Sequence, residues 1–528
     1  MGRPKRYRER IEFEMHSVQA KSVQSLISQV LQKDFGCSRL EAEVLSQRSL
    51  GWLRALGVPE VPGQVRLAVP ATPSRRYARE RRMMATITAV DVGEDTEIWR
   101  VYGLAALQRR RLLRWLYEIY RSGGWASLAE LAAWANLTPT ALGARLAPIR
   151  RHGIWLPHVG GPEPREDRLA LEPWLVARYL EEGQVESLRA QCGLTLASWE
   201  NLLYRFLQVV SAADIGTAPE VLANRYGFSI LEVRQLLAVS RKYRHQPLFK
   251  ELAASYGDFI CSSSSAEIED ELTKLYGFSP VSARLYHEWL AELAARLSTT
   301  SLGPGEMIFL AISADEGARA RLVEARHIPV RLRYFTEDDA LEGPYGDCPS
   351  KVSGLKFNRL VRYATEARVQ GALLTLPDLA VLMGIHVDAI RRQLAAHPEV
   401  VVPTRGRLKD IGRGVTHKAE IVEMYLQMHT ETEIVERTGH SYESVEAYLR
   451  EFARVVTLAD QGMNPVMIRR VTGRSMALVK AYLELYRRYD KPDYHFRLAQ
   501  LRNVFTRGEI LGQKKGRHFP YLIGGAER

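Results

Sequence analysis

Apolar residues recur at i, i+3 and i+4 through 23–50 and again through 268–297, each time around a glycine turn. That periodicity predicts an amphipathic helix pair at both places. Downstream of each pair the pattern changes to alternation rich in Val, Ile and Thr, at 64–69 and 84–90 and then at 306–312 and 328–335. Such segments suit half-buried strands. Helical spacing returns at 106–122 and 354–370. After those helices, Ser127 precedes Glu130 and Thr375 precedes Asp378 by three residues, the spacing of a capping box or its near relative. The stretches 131–146 and 379–394 then predict two short helices crossing steeply. At 400–409 a Val-rich start followed by Arg405, Arg407 and Lys409 predicts a short strand leading into a basic wing. The partner stretch 154–161 keeps the apolar part and loses the charges.

Two more helix-turn-helix patterns follow in each half. The first runs through Tyr179-Leu180 or Tyr425-Leu426, then past Gly193 or Gly439 to a helix capped by Thr195 or Ser441. Thr430 and Glu433 supply a full capping box there. In the second, Pro219 or Pro465 opens a helix, Gly227 or Gly473 ends it, and Ser229 or Ser475 caps the next.

These paired patterns form an internal repeat. Phe206, Val209, Val210, Ala213, Asp214, Gly216 and Pro219 recur as Phe452, Val455, Val456, Ala459, Asp460, Gly462 and Pro465, all 246 residues on. Upstream, Leu131-Ala132 answers Leu379-Ala380 at 248, and Pro62-Gly63 answers Pro304-Gly305 at 242, drifts that small loop insertions produce. The expected fold is mainly α: a tandem duplication of winged and simple helix-turn-helix units with a small β segment in each half. In order, the expected parts are a basic arm (1–20), a helical and β part (21–105), a winged unit (106–163) and two helix-turn-helix units (164–243). A flexible linker (244–263) leads to the second copies at 264–353, 354–410 and 411–490, and a basic tail occupies 491–528.

At 46% apolar and 25% charged residues, the 528-residue chain is not a disordered polymer. No apolar run reaches membrane-helix length and no signal peptide opens the chain. The four cysteines are far apart, which supports neither a disulfide scaffold nor a cysteine zinc site and suits the cytoplasm. A net charge of +12 points to a polyanionic partner.

Residues 402–418, Tyr425-Leu426, Glu433-Ile434, Arg437-Thr-Gly-His-Ser441 and Phe452-Ala-Arg-Val455 resemble the prokaryotic family called domain of unknown function 1670. The resemblance covers about 264–489. It implies a helix-turn-helix-type protein and assigns no functional residue. The first half lacks the Pro-Thr-Arg-Gly run at 403–406 and the His417-Lys418 pair.

A helix-turn-helix unit projects the N-terminal side chains of its second helix into the major groove. In the winged units the candidates are Arg391, Arg392 and Gln393, with Arg405, Arg407 and Lys409 aimed at phosphates, and Arg145, Arg150 and Arg151 in the first copy. In the third units Arg234 and Lys480 share a register, joined by Arg469, Arg470 and Arg474. Arg3, Lys5 and Arg6 of the arm faintly resemble a minor-groove hook. Two further basic clusters lie at 75–82 and at Arg109-Arg110-Arg111, ahead of a long helix. Asp214 and Asp460 fit a turn, and Tyr425 fits a packed position, better than a catalytic one. No phosphate-loop, nucleophile-elbow or metal-binding helix motif occurs, so no enzyme activity, cofactor or metal is expected. The expected function is double-stranded DNA binding by a sequence-specific transcriptional regulator. A mobile-element or plasmid DNA-binding component and a protein-interaction scaffold stand as alternatives.

Overall fold

The computed structural model describes residues 3–55, 62–165, 167–260, 268–298, 302–318, 320–322, 325–336, 339, 349–409, 415–438, 440 and 442–510. Helices dominate, with small antiparallel sheets. A first series of elements runs α1 (Arg3–Gln19), α2 (Val23–Lys33), α3 (Arg39–Ala55), β1 (Gln64–Pro70), β2 (Arg82–Thr88), α4 (Val92–Tyr102), α5 (Leu104–Arg121), α6 (Leu128–Trp134), α7 (Pro139–Arg151), α8 (Leu171–Glu182), α9 (Val185–Cys192), α10 (Leu196–Asp214), α11 (Pro219–Tyr226), α12 (Ile230–Tyr243) and α13 (Pro247–Ile260). A second series repeats much of that order: α14 (Ile268–Tyr276), α15 (Pro280–Ser298), β3 (Glu306–Ser313), β4 (His327–Arg333), α16 (Pro349–Val369), β5 (Ala372–Leu373), α17 (Leu376–Met383), α18 (Val387–Ala396), α19 (Arg405–Leu408), α20 (Val415–Leu426), α21 (Glu431–Thr438), α22 (Tyr442–Asp460), α23 (Pro465–Thr472), α24 (Met476–Tyr489) and finally α25 (His495–Ile510). Gly36 and Gly277, both at positive φ, make the turns inside the two opening helix pairs.

The described chain forms two compact units, 1–398 and 399–528. Unit 1 holds the first series and the second as far as α18. In it β1 pairs with β2 and β3 pairs with β4 and β5, all antiparallel. β3 is buried along nearly its whole length, whereas β1 alternates buried and exposed residues. A shared core joins Ile27, Leu31 and Leu45 of the first helix pair to Leu272, Tyr286 and Leu290 of the second.

The two series meet through matching bonds. The amide of Gly63 donates to the carbonyl of Ile308 (2.9 Å), and the amide of Gly305 donates to that of Arg66 (2.8 Å). Each glycine is 242 residues from its counterpart, as are the two acceptors. Both glycines have positive φ, and a Cβ on either would lie within about 2 Å of a carbonyl oxygen, that of Val90 or that of Phe335. The polar interior is matched as well. Asp95 binds Arg111 (2.7 Å) and Arg114 (3.1 Å); Asp339 binds Arg359 (3.3 Å) and Arg362 (2.6 Å). Glu118 accepts from the Thr88 amide (2.7 Å) as Glu366 accepts from the Arg333 amide (2.8 Å). Arg359 reaches across to the Ala133 carbonyl (2.8 Å) and Asn136 Oδ1 (2.9 Å), while Asn136 Nδ2 donates to the Met383 carbonyl (2.9 Å). Lys21 and Asp378 form a fully buried ion pair in the same unit.

Three segments depart from expectation. The arm is α1, because Ile11, Met15 and Val18 recur at helical spacing and bury themselves against α4 and α17. The linker is largely α13, where Phe249 meets the Phe206 ring edge-on at 6.0 Å. Its serine run at 262–265 lies outside the described residues. In unit 2, α25 takes the first part of the tail and packs Leu498 and Leu501 into the core against α22 and α20. Lys514, Lys515 and Arg517 lie outside the described residues, as do Gly439 and Ser441.

Steric and electrostatic constraints in unit 1 have measurable consequences. Gly63→Ala or Gly305→Ala should cost about 2 kcal/mol or more in chemical denaturation, since backbone strain and a backbone clash combine. Gly371→Ala, at φ +78 with open space around it, should cost about 1 kcal/mol. Burial would raise the Glu94 carboxyl, but the guanidinium groups of Arg110 and Arg114 hold it at about 2. Its folded value lies below the ordinary ~4.3 of an unfolded glutamate, so the stability it carries is complete above about pH 5 and vanishes as pH falls toward 2. Acid denaturation followed by circular dichroism should therefore be less steep for Glu94→Gln than for the parent chain.

Candidate nucleic-acid interface

Three-helix packing recurs at the end of both series. In unit 1, α10, α11 and α12 each contact the other two, around Phe206, Leu222 and Val233. In unit 2, α22, α23 and α24 do the same around Phe452, Ile468 and Val479, the residues 246 positions on. Gly227 (φ +65) and Gly473 (φ +68) end α11 and α23 in the left-handed conformation, donating their amides to the carbonyls of Ala223 and Arg469. Ser229 forms a capping box with Glu232 at the start of α12, and Ser475 accepts from the Leu478 amide at the start of α24. Glu232 is itself tied to Arg121 (2.7 Å), so the opening turn of α12 is anchored to α5.

These anchors fix which side of each last helix faces outward. On α12 the exposed residues include Arg234, Arg241 and Lys242; on α24 they include Lys480, Arg487 and Arg488. All three positions keep a cation at the 246-residue register. Residues seven apart lie two helical turns apart on one face, so Arg234 with Arg241, and Lys480 with Arg487, each make a stripe. The intervening exposed residue is Ala238 in α12 and Glu484 in α24. Lys242 and Arg488 also touch Glu181 (3.4 Å) and Glu423 (2.9 Å) at the margin of the stripes. Arg469 and Arg470 are exposed in the last turn of α23. Arg474, in the turn, is paired with Glu451 at 2.5 Å.

The other sequence candidates are placed differently. Arg391 and Arg392 are exposed on α18, but Arg391 binds Asp388 (2.7 Å), and Asp388 is also held by Arg10 of α1 (2.6 Å). The opening turn of α18 is thus engaged by α1. Gln393 donates to Ser353 (2.7 Å). Arg145 is half-buried and donates to Gln108 (2.7 Å), which donates in turn to the Gly384 carbonyl (2.8 Å); its role is to join the two series. Arg150 and Arg151 are exposed in the final turn of α7, beyond the N-terminal part that a reading helix inserts. Arg3, Lys5 and Arg6 lie on the backbone of α1, and their side chains fall outside the described residues.

The expected wing does not form. Residues 400–404 have no strand pairing, and Thr404 caps the short helix α19. Burial of Val402, Pro403 and Thr404 anchors this segment and carries Arg405 into the interior, where it is 1% exposed. Arg407 faces Glu420 at 3.5 Å, and Lys409 is half-buried. In the first series only an isolated bridge between Ala126 and His158 occupies the corresponding place. Of the two first-unit caps, Thr375 and Asp378 make the box, whereas Ser127 makes no side-chain capping bond. The cluster Arg109-Arg110-Arg111 lies inside α5, with Arg110 and Arg111 paired to Glu94 and Asp95. Arg76 and Arg81 flank the Tyr77 ring, each about 5 Å from its centre.

Arg241, Lys242, Arg487 and Arg488 complete the stripes and were not singled out from sequence. The 246-residue register that pairs Arg234 with Lys480 identifies them once it is followed to the ends of the helices. A cleft of about 600 Å³ in unit 1, lined in part by Glu94, Arg110, Glu172 and Arg205, has its main charges already engaged with one another or with Arg114 and Arg121. Among the described residues, no helix is long and apolar enough to cross a membrane.

The placement separates structural from surface cations. Arg405→Ala should lower the thermal midpoint of the full chain by several degrees, because a buried charged group and its packing are removed. The double variant Arg469→Ala/Arg470→Ala should leave the midpoint within about 1 °C, as surface substitutions do. Differential scanning calorimetry checks both.

No curated protein and no solved structure matches the chain. Residues 274–485 match the family described as Protein of unknown function (DUF1670), and it is through this second series, from within α14 to within α24, that the chain resembles that family.

Proposed function

We propose that the protein binds double-stranded DNA through helix-turn-helix units and acts as a sequence-specific transcriptional regulator in the cytoplasm, by binding alone and without a cofactor. The observation that carries this reading is the retention of exposed cations at three matched positions of α12 and α24. Core positions in a repeat are retained because packing demands it. Lys242 and Arg488 each hold a matching glutamate, but Arg241 and Arg487 serve no buried packing, and a repeated positive stripe on the last helix of a three-helix unit suits a groove lined with phosphates. Arg234 and Lys480, one turn into their helices, are placed to reach base edges or the flanking backbone. Arg241 and Arg487, two turns further on, and Arg469 with Arg470 suit phosphates. The net charge of +12 favours the same partner.

Each phosphate contact releases counterions, so affinity should fall linearly with salt on logarithmic axes. Gel-shift titration of the full chain on a duplex library should show that fall. Lys480→Ala/Arg487→Ala should weaken binding and reduce the slope by roughly two, about one per lost phosphate contact. Salt-independent binding, or an unchanged slope in the variant, would contradict the reading.

A further inference from the structure

Resting on that reading, we infer that unit 1 grips the DNA backbone at a second place, outside its helix-turn-helix units. The site is a cluster of arginines on the β1–β2 turn and at the end of α7, and it holds phosphates without reading sequence.

The turn is an ordered structure. Ala71 donates its amide to the Arg81 carbonyl (2.8 Å), Arg81 to that of Tyr77 (3.0 Å) and Tyr77 to that of Ser74 (3.2 Å). Ala78 is buried, while Arg75, Arg76, Arg79 and Arg81 are exposed. The guanidinium carbons of Arg76 and Arg81 lie 5.4 and 5.3 Å from the centre of the Tyr77 ring. A second segment docks on the turn: Gly160 donates its amide to the Pro73 carbonyl (2.8 Å), and the Arg75 side chain folds over Gly160. Arg150 and Arg151 are exposed at the end of α7, a few residues upstream. His158 is the meeting point. Burial, Arg150 and Arg75 together hold its imidazole below the ordinary pKa, and no carboxylate offsets them.

None of these six arginines forms an ion pair among the described residues. Arg82 takes Glu130 (2.8 Å), which leaves Glu80 as the turn's own acid. Crowded like charges cost stability, and a polyanion offsets that cost. The duplicated fold does not require them. In the second series the turn at 314–326 sets Asp315, Glu316 and Glu324 against three arginines, and the residues 248 positions after Arg150-Arg151 are Pro398-Glu399. Arginine forks suit phosphate oxygens. With Arg75 folded over Gly160, and Arg76 and Arg81 beside Tyr77, these side chains stay close to their own surface, where they meet a duplex backbone before its base edges.

The cluster is also tied to α12. Gln235 of α12 donates to the carbonyls of Arg165 (3.1 Å) and Arg168 (3.0 Å), and Arg165 is five residues from Gly160. Five residues span at most ~17 Å, about half of one duplex turn of ~34 Å. The two surfaces are therefore anchored within one turn of DNA.

The variant Arg75→Ala/Arg76→Ala/Arg79→Ala/Arg81→Ala of the full chain tests the inference by gel shift across salt. Affinity should fall about tenfold or more on every duplex alike, and the logarithmic salt slope should drop by about three. The corresponding four-lysine variant should recover most of the loss, and calorimetry should find both variants folded. Unchanged affinity and slope in the alanine variant, or a loss confined to particular sequences, would overturn the inference while leaving helix-turn-helix binding intact. So would a loss of binding to anionic phospholipid vesicles with DNA affinity unaltered. Failure of the parent chain to bind any duplex would overturn both.

Discussion

The backbone contacts at Gly63 and Gly305 constrain the rest of unit 1. Each amide is spent on a strand of the other series, and each carbonyl accepts from Val90 or Phe335 within its own series. A side chain at either position would strike a carbonyl oxygen, so only glycine permits the approach. Once the strands meet this closely, the opening helix pairs share a core, and the long helices α5 and α16 face each other's short helices. Buried polar groups must then find partners across the junction. Arg359, Asn136, Gln108 and Lys21 do so, each satisfying an acceptor on the opposite series. A buried donor left unpaired costs more than the bond itself returns, so these contacts specify one docking among many possible ones.

Consequences extend outward to the surface. Arginines near the docking region, such as Arg110, Arg111, Arg114 and Arg145, are drawn inward to satisfy acids and amides and are unavailable to a ligand. The three-helix units α10–α12 and α22–α24 bury mainly apolar residues; α12 ties its buried Glu232 to Arg121 and its buried Gln235 to the Ala170 amide, and the outward sides of α12 and α24 carry the cations. Within unit 1, engagement by acids and amides at the docking region separates these arginines from exposed ones such as Arg234 and Arg241.

Much of this was legible in the sequence. Helix pairs, strands and the glycine turns followed from periodicity, since α2 and β1 each carry recurring apolar residues on one face and β3 is an apolar run buried on both. The 246-residue register located Arg234 and Lys480 on matching exposed faces. The misplacements share a cause. Arg405, Arg145 and Arg111 look like surface cations when only the local pattern is considered, because their partners lie far away in the chain or their burial depends on how a neighbouring segment packs. The wing failed for a related reason: a Val-rich stretch has strand propensity, but among the described residues 400–404 pairs with no strand edge. Helices α1 and α13 were obscured by charge and by an adjacent serine run, although Ile11, Met15 and Val18, like Leu248, Phe249 and Leu252, carry the spacing of a buried face.

Chemical cleavage from the proposed reading helices tests the central claim most directly. With iron-EDTA tethered to the full chain at Arg234→Cys or at Lys480→Cys, the account predicts localised cuts on a selected duplex in two separate tracts, one from each position. Cleavage no stronger than that from a tether at Lys33→Cys, on α2 of the shared core, would contradict it.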